Sequence, residues 1–501
     1  ADLAEHVATL AAEHPQALLL LGPGSTLESA LADETLRGAL DRASDRFNSM
    51  RQSAVDSLDE WEELRERGRQ IKEETLSHLD HYLEQFVRNA EALGVQVHFA
   101  RDREEACRIL ADLAQKLDAH TIAKSKSMTT EEIGLNHVLE ERGMLPIETD
   151  LGEWIIQLAG EKPSHIIAPA IHKTKEQISA LFEEKLATEK TDDIQELAGI
   201  ARRILRQNFV EADLGVSGVN FAIAETGSFL LLENEGNIRM CTSLPRAHVA
   251  VMGIEKILPR MEDLEVFLRL LPRSGTGQHL TSYQSLFTGP KQSEDEEGPS
   301  EMHVLILDNG RSAMLKRPIT RQSLACIRCG ACLNACPVYR QVGGHAYGSV
   351  YPGPIGAIIT PQLAGIEKAQ TLPFASSLCG ACRDVCPVKI DIPALLLHLR
   401  TRIVGGEGPA HVRAATLRGR GLERAAFRLW AWSMSGPRRY RLTAALTRWF
   451  QPLVARPGVL QNIAKRLAPP LGAWTAAREL RPAARRSFRA RWRAGIPEDE
   501  S

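Results

Sequence analysis

Seven of the nine cysteines in this 501-residue chain fall between Cys326 and Cys386, at spacings that carry chemistry. The first run is Cys326-x2-Cys329-x2-Cys332-x3-Cys336-Pro337, and the second is Cys379-x2-Cys382-x3-Cys386-Pro387. Three thiolates on one tight loop reach three iron corners of a cubane, while the fourth Cys, followed by Pro, departs to serve a second cluster. Gly330 and Gly380 let the backbone bend close to such a cluster. Zinc knuckles are the competing reading, but zinc sites use separated Cys pairs or Cys/His mixtures rather than four Cys at these intervals. The runs therefore imply iron–sulfur clusters, and the odd cysteine total argues against a disulfide scaffold.

The crossing rule assigns Cys326, Cys329, Cys332 and Cys386 to the first cluster, leaving Cys336, Cys379 and Cys382 for the second. The slot three residues before Cys379 is Ser376. The second cluster is then either three-iron or four-iron with one corner open to a Ser oxygen, water, substrate or a partner's residue. Cys107, in an amphipathic helix, and Cys241, beside a strand, read as small buried hydrophobes.

Outside the cysteine runs, the candidate pocket lies where Gly-rich turns meet strand ends. Glu225-Thr226-Gly227-Ser228, Asn234-Glu235-Gly236-Asn237 and Leu244-Pro245-Arg246-Ala247-His248 offer carboxylate, amide, cation and imidazole. Arg246 has the chemistry to hold a carboxylate, and His248 or Glu225 the chemistry to take a proton. Lys124 and Lys126, before a helix N-terminus, can hold an anion. The bland alternative is that the glycines serve turns and His248 is a satisfied strand residue. No GxGxxG follows a strand, so no dinucleotide site is apparent.

The elements that must position these residues fall into four stretches. Residues 1–93 are helical, with apolar positions from Leu58 to Leu93 recurring every three or four residues. Residues 94–310 alternate strands and helices, as in an α/β domain with a largely parallel sheet. Strands are expected at 95–99, 121–124, 147–149, 165–169, within 219–233, and at 248–253 and 303–308. Helices are expected at 103–117, 130–142 (opened by a Thr129/Glu132 capping box), 174–187 and 193–209. Residues 311–400 carry the clusters, and 401–501 form a tail.

Apolar residues make up 44% of the chain and charged residues 25%, which excludes a wholly disordered chain. The net charge of −2 hides an asymmetry, because residues 401–497 hold 20 Lys and Arg against three Glu. Five of the seven Trp lie in the same tail. A membrane-surface anchor fits that composition, as does docking on an acidic neighbouring subunit. No nucleic-acid recognition motif accompanies the charge. With no apolar run long enough to span a bilayer and no secretory signal pattern, the expected location is cytoplasmic, with the tail able to reach the inner face of the membrane.

Four stretches together carry a family resemblance: Lys124–Met128 (KSKSM), Gly215–Ser228 (GVSGVNFAIAETGS), CIRCGACLNACPVYR from Cys326 and SLCGACRDVCPVKI from Ser377. Over roughly residues 45–400 the chain resembles the LutB family (also called LldF or YkgF), the iron–sulfur subunits of the LutABC system for growth on L-lactate. The resemblance implies a LUD domain, similar to the NagB/RpiA and CoA-transferase-like α/β group, followed by an α-helical two-cluster ferredoxin-type module. It implies two 4Fe–4S clusters, ligated as the crossing rule has them, and a part in oxidising L-lactate to pyruvate. It also implies a cysteine-rich LutA-like partner and a second LUD protein like LutC. Two alternatives stay open: a chain that oxidises lactate by itself in the LUD pocket, and a non-catalytic relay or scaffold for another 2-hydroxy acid oxidase.

Overall fold

Alternation of inward and outward side chains along the strands sets the layering. In the computed structural model, which describes residues 27–293, 297–405, 421–455, 484 and 486–495, ten strands form two sheets. Six make a fully parallel sheet in the order β1 (Gln96–Ala100), β10 (Glu301–Leu307), β7 (Ala247–Gly253), β4 (Leu214–Ser217), β2 (Thr121–Lys124), β3 (Leu145–Glu148). Four make a mixed sheet in the order β8 (Ile257–Leu258), β5 (Phe221–Ile223), β6 (Ser228–Glu233), β9 (Tyr283–Phe287).

Successive residues of β7 serve opposite faces, as the two-residue period of a strand requires. Val249 and Val251 pack under helices, chiefly that at Arg103–Lys116. Ala250 and Met252 face the second sheet, where Phe229 and Leu231 of β6 meet them. The far side of that second sheet, Phe221, Ile223 and Leu230, joins a large core with Trp61, Phe267, Leu333, Tyr339 and Leu395. The α/β layers and the cysteine-bearing segment thus share buried apolar surface rather than meeting across a polar seam.

Three N-terminal helices hold this arrangement together: α1 (Glu34–Asp56), α2 (Trp61–Ser77) and α3 (Leu79–Ala92). The apolar stripe expected between 55 and 93 is therefore carried by two helices, with His78 breaking them at φ −127°, ψ 37°. Arg65 of α2 reaches across to the carbonyls of Cys386 and Asp384, at 2.8 and 2.9 Å.

Other expectations need correction. The helix placed at 130–142 is split into Met128–Ile133 and Leu135–Glu141 by Gly134 at φ 68°, and its cap is Ser127, whose Oγ accepts from the Thr130 N–H. No strand forms at 165–169. The Ile167 and Ala168 N–H groups donate instead to His165 Nδ1, both at 3.1 Å, so a side chain takes the bonds that a ladder would need.

The described residues fall into two compact units, those up to 405 and those from 421 on. In the second, helices Gly421–Met434 and Pro437–Ala455 expose Trp430, Trp432, Trp449 and Phe450, and Arg439 lies over the Trp432 ring. No described helix is long and apolar enough to cross a membrane.

Candidate metal centre and adjoining pocket

Each cysteine run folds into the same short device. In the first, Arg328 at φ 61° and Gly330 at φ 72° curl the chain round Cys329, and a four-residue helix, α4 (Ala331–Asn334), follows. In the second, Leu378 at φ 56° and Gly380 at φ 90° do the same round Cys379, ahead of α5 (Ala381–Asp384). Only glycine takes such angles without a Cβ penalty, so the two non-glycine positions are held there by their surroundings.

Cys326, Cys329, Cys332 and Cys386 line one small cavity walled by Ile166, Ile327, Ile355 and Val388. Burial pushes the Cys332 thiol up, and Cys329, Cys326 and Cys386 then add to it. Cys382 is pushed up to about 12 by burial and then by Cys336 and Cys379, and it also adds to the rise at Cys332, so the two sets of thiols are neighbours. The Arg328 N–H donates to Cys326 Sγ at 3.4 Å, Ile390 N–H to Cys386 Sγ at 3.4 Å and Tyr339 N–H to Cys336 Sγ at 3.5 Å. Sulfur donors converging on one cavity, with backbone N–H groups turned towards them, are what an iron–sulfur cluster requires of a loop. The residues present fit such a group.

Against the first thiol cavity lies a pocket of about 290 Å³. Ile166 and Arg328 line both. Its cations are Lys126, Lys256 and Arg328, and its acids Asp150, Glu233 and Glu235. The Arg328 guanidinium sits 4.4 Å from the Tyr351 ring centroid and 3.6 Å from Glu255 Oε1, while its buried Nη1 has no hydrogen-bond partner. Burial lowers Lys256 to about 8. Lys126 donates from Nζ to the Ile167 carbonyl.

The acids divide. Glu233 is spent on the N-terminus of the helix Asn237–Ser243, accepting from the Ile238 and Arg239 N–H groups at 2.6 and 3.0 Å. Glu235 keeps an exposed edge at the pocket mouth, yet burial of its carboxyl and then the nearby Asp150 raise it above the usual carboxylate range. A cationic wall facing a raised carboxylate suits an anion that must also lose a proton.

Comparison with known proteins bears on most of the length. Residues 83–307 match the LUD domain family, 322–390 the 4Fe-4S dicluster domain, and 398–495 the C-terminal region of lactate utilisation protein B. Lactate utilization protein B of Bacillus cytotoxicus is 45% identical over 459 residues, spanning 92% of this chain and 94% of that one. The proteins of that name from Bacillus thuringiensis and Bacillus anthracis give the same figures. The chain belongs to the lactate utilization protein B family. Its fold is accordingly a LUD α/β domain followed by a 4Fe-4S ferredoxin-type domain, and it binds iron–sulfur clusters. A crystal structure of a DUF162 family protein from Deinococcus radiodurans, 13% identical, covers 46% of this chain and 98% of its own at a TM-score of 0.26, too loose an overlap to bear on the fold.

Within this family member, the residues read as catalytic do not come together. His248 is buried on β7, where its Nε2 pairs with Ser217 Oγ at 2.8 Å beside the stacked rings of Phe229 and Phe287. Burial, with His303 adding to it, lowers it to about 3. Arg246 is exposed, and so is Glu225, whose Oε2 accepts from the Met261 N–H at 2.9 Å. None of the three lines the pocket. Lys124 is also elsewhere engaged: it is fully buried against Glu148, Glu131 and Thr130, at 2.6, 3.0 and 3.0 Å.

Of the turns singled out from sequence, Asn234, Glu235 and Asn237 do reach the pocket, as does Lys126. Asp150, Lys256 and Arg328 were missed. Asp150 had a signal in its role as helix N-cap, accepting from the Glu153 N–H. Arg328 had only its position between two cysteines.

Proposed function

We propose that this chain is the iron–sulfur electron-transfer subunit of a complex that oxidises L-lactate to pyruvate, and that the anion pocket beside the first cysteine loop receives the substrate. The observation that carries the reading is the shared wall: Arg328 and Ile166 line both the thiol cavity and the pocket. Cys326, Cys329, Cys332 and Cys386 would hold one 4Fe–4S cluster, and Cys336, Cys379 and Cys382 the second. Bound there, such clusters take up and pass on one electron at a time.

Lactate gives up two electrons and two protons on becoming pyruvate: the hydroxyl proton goes to a base, and the Cα hydrogen would leave with its electron pair to a hydride acceptor such as flavin or nicotinamide on a partner, which then hands single electrons to the clusters. The Arg328 guanidinium, with Lys126 and Lys256, binds the carboxylate, a planar group that arginine grips well. Glu235, held above the usual carboxylate range by burial and then by Asp150, is the group placed to accept the hydroxyl proton. Leu231, Ile238 and Leu271 make the apolar part of the wall, which suits the methyl group. The family name of the relatives supports lactate as the substrate, and a cysteine-rich LutA-like subunit and a LutC-like LUD subunit are the partners that would complete the reaction. The exposed Trp and Arg of the C-terminal helices suit a peripheral membrane contact near the electron acceptor.

The test is anaerobic purification of the full chain, followed by L-lactate while cluster absorbance is watched, first alone and then with partners. Bleaching only with partners supports the relay. Bleaching by the lone chain favours the second reading, for which the same pocket speaks: a self-sufficient lactate-oxidising enzyme. Failure of Arg328→Gln or Glu235→Gln to slow bleaching in either setting rejects this pocket as the substrate site.

A further inference from the structure

The two cysteine runs are related by a constant offset of fifty residues. Cys329 corresponds to Cys379, Cys332 to Cys382 and Cys336 to Cys386, and the counterpart of Cys326 is Ser376. The backbone repeats with the sequence. Leu333 N–H donates to the Gly330 carbonyl at 2.9 Å, and Arg383 N–H to the Gly380 carbonyl at 2.8 Å. Ala335 N–H closes α4 on Ala331, and Val385 N–H closes α5 on Ala381.

The correspondence extends to the side chain in question. In the first loop the Arg328 N–H donates to Cys326 Sγ at 3.4 Å; in the second the Leu378 N–H donates to Ser376 Oγ at 3.1 Å. The shorter distance is what an oxygen acceptor gives in place of sulfur. Neighbouring Ser377 matches Ile327, which is buried in the core. Ser376 is further held in register from behind: Arg400, on the helix Ile392–Gly405, donates to the Ser376 carbonyl at 3.1 Å and to the Pro373 carbonyl at 2.8 Å.

We propose that Ser376 Oγ is the fourth protein ligand of the second cluster, standing where the first loop has a thiolate. This rests on the two-cluster reading above. Ligation forms an Fe–O bond and releases the hydroxyl proton to solvent, which part-exposed Ser376 can reach; no electron is transferred. The corner is then closed to substrate, and the hard alkoxide marks the second cluster off from an all-thiolate one.

The experiment uses the full-length chain, purified and reconstituted without oxygen, as wild type, Ser376→Ala and Ser376→Cys. Iron content, Mössbauer spectra, EPR after mild oxidation and the two reduction potentials are read. The proposal expects about eight irons per chain in the wild type and in Ser376→Cys. It expects Ser376→Ala to lose about one iron per chain on mild oxidation and to show a three-iron EPR signal that the wild type lacks. Ser376→Cys should shift the potential of one cluster only. Spectra and potentials of Ser376→Ala indistinguishable from wild type would overturn the proposal, as would a wild-type three-iron signal of full intensity. If Ser376→Ala does not fold, Ser376→Cys decides: one altered potential supports serine ligation, two unchanged potentials overturn it. Wild type with only about four irons would instead overturn the two-cluster reading itself.

Discussion

The two cysteine loops share a backbone and differ in what surrounds it. The first is sunk in the main core: Cys329 and Cys332 are buried, Gly330 packs against Ile167 and His165, and cations close over it. In the first loop Arg328 rests on Tyr351, while Arg51 and Arg65 hold the Val385 and Cys386 carbonyls, at 3.2 and 2.8 Å, where the end of the second run returns to the first cavity. The second loop has Cys379 exposed, nothing within 4 Å of where a Cβ on Gly380 would stand, and a serine in place of one cysteine. One device is thus set in two surroundings, the buried copy beside the pocket and the outward copy at the surface, as the proposed relay would use them. A relay needs both an entrance next to the substrate and an exit a partner can approach.

The largest test of that contrast removes one thiol from each copy. Cys332→Ala strips a ligand from the buried loop and opens a gap among Leu333, Ile355 and Val388, so the expected outcome is loss of the first cluster together with poor soluble yield. Cys379→Ala should cost only the second cluster, roughly half the iron, and leave the fold intact. Iron analysis and circular dichroism on the two variants decide it. Equal loss of structure in both would break the distinction between core and surface copies.

A smaller effect is expected from the ion cluster that pins the first loop alone. Arg311 is buried between Glu132 and Glu255, each at 2.8 Å, and Glu255 also lies 3.6 Å from Arg328. Leu378, the counterpart of Arg328, has no charge to anchor. Removing one partner of such a buried set, as in Arg311→Met, should destabilise by about 3–5 kcal/mol in denaturant titration. Burial alone would raise Glu255, but Arg311 and then Arg328 hold it down at about 2. Its folded value is below the unfolded one, so its contribution is complete above pH ~4.5 and is lost as pH falls towards about 2. Acid titration of Glu255→Gln should lack that part of the loss, and a wild-type-like acid limb in the variant would remove Glu255 from the account.

How far the sequence foretold this contrast depends on which interactions are local. Cluster loops are legible because their donors sit within ten residues and must be cysteine. The parallel sheet was legible from strand–helix alternation, and Thr121–Lys124 came out as read. What failed were roles set by distant partners. His248 Nε2 meets Ser217, 31 positions away, although its buried Nδ1 has no partner, and Lys124 meets Glu148, so an imidazole and an ammonium offered for chemistry were engaged inside the fold instead. Segment 165–169 had strand composition, but its N–H groups went to the His165 ring. Arg328 reaches the pocket because the core seats the first cysteine loop beside the second sheet, and no periodicity encodes that placement.

The finest test leaves every donor in place and asks only about the backbone. Gly330 at φ 72° and Gly380 at φ 90° do the same job, and alanine at either should cost about 1–2 kcal/mol for the left-handed conformation alone. At Gly380 that is the whole expected effect, since a Cβ meets nothing within 4 Å. At Gly330 the Cβ would stand 3.0 Å from Ile167 Cδ1 and 3.3 Å from His165 Cε1, so overpacking adds about 1–3 kcal/mol more. Denaturant titrations of Gly330→Ala and Gly380→Ala, both apo and reconstituted, measure the difference directly. The gap between the two variants isolates the surroundings from the loop, because the conformational penalty cancels. A gap near zero would mean that Ile167 and His165 yield freely, and that the first loop is held no more firmly than the second.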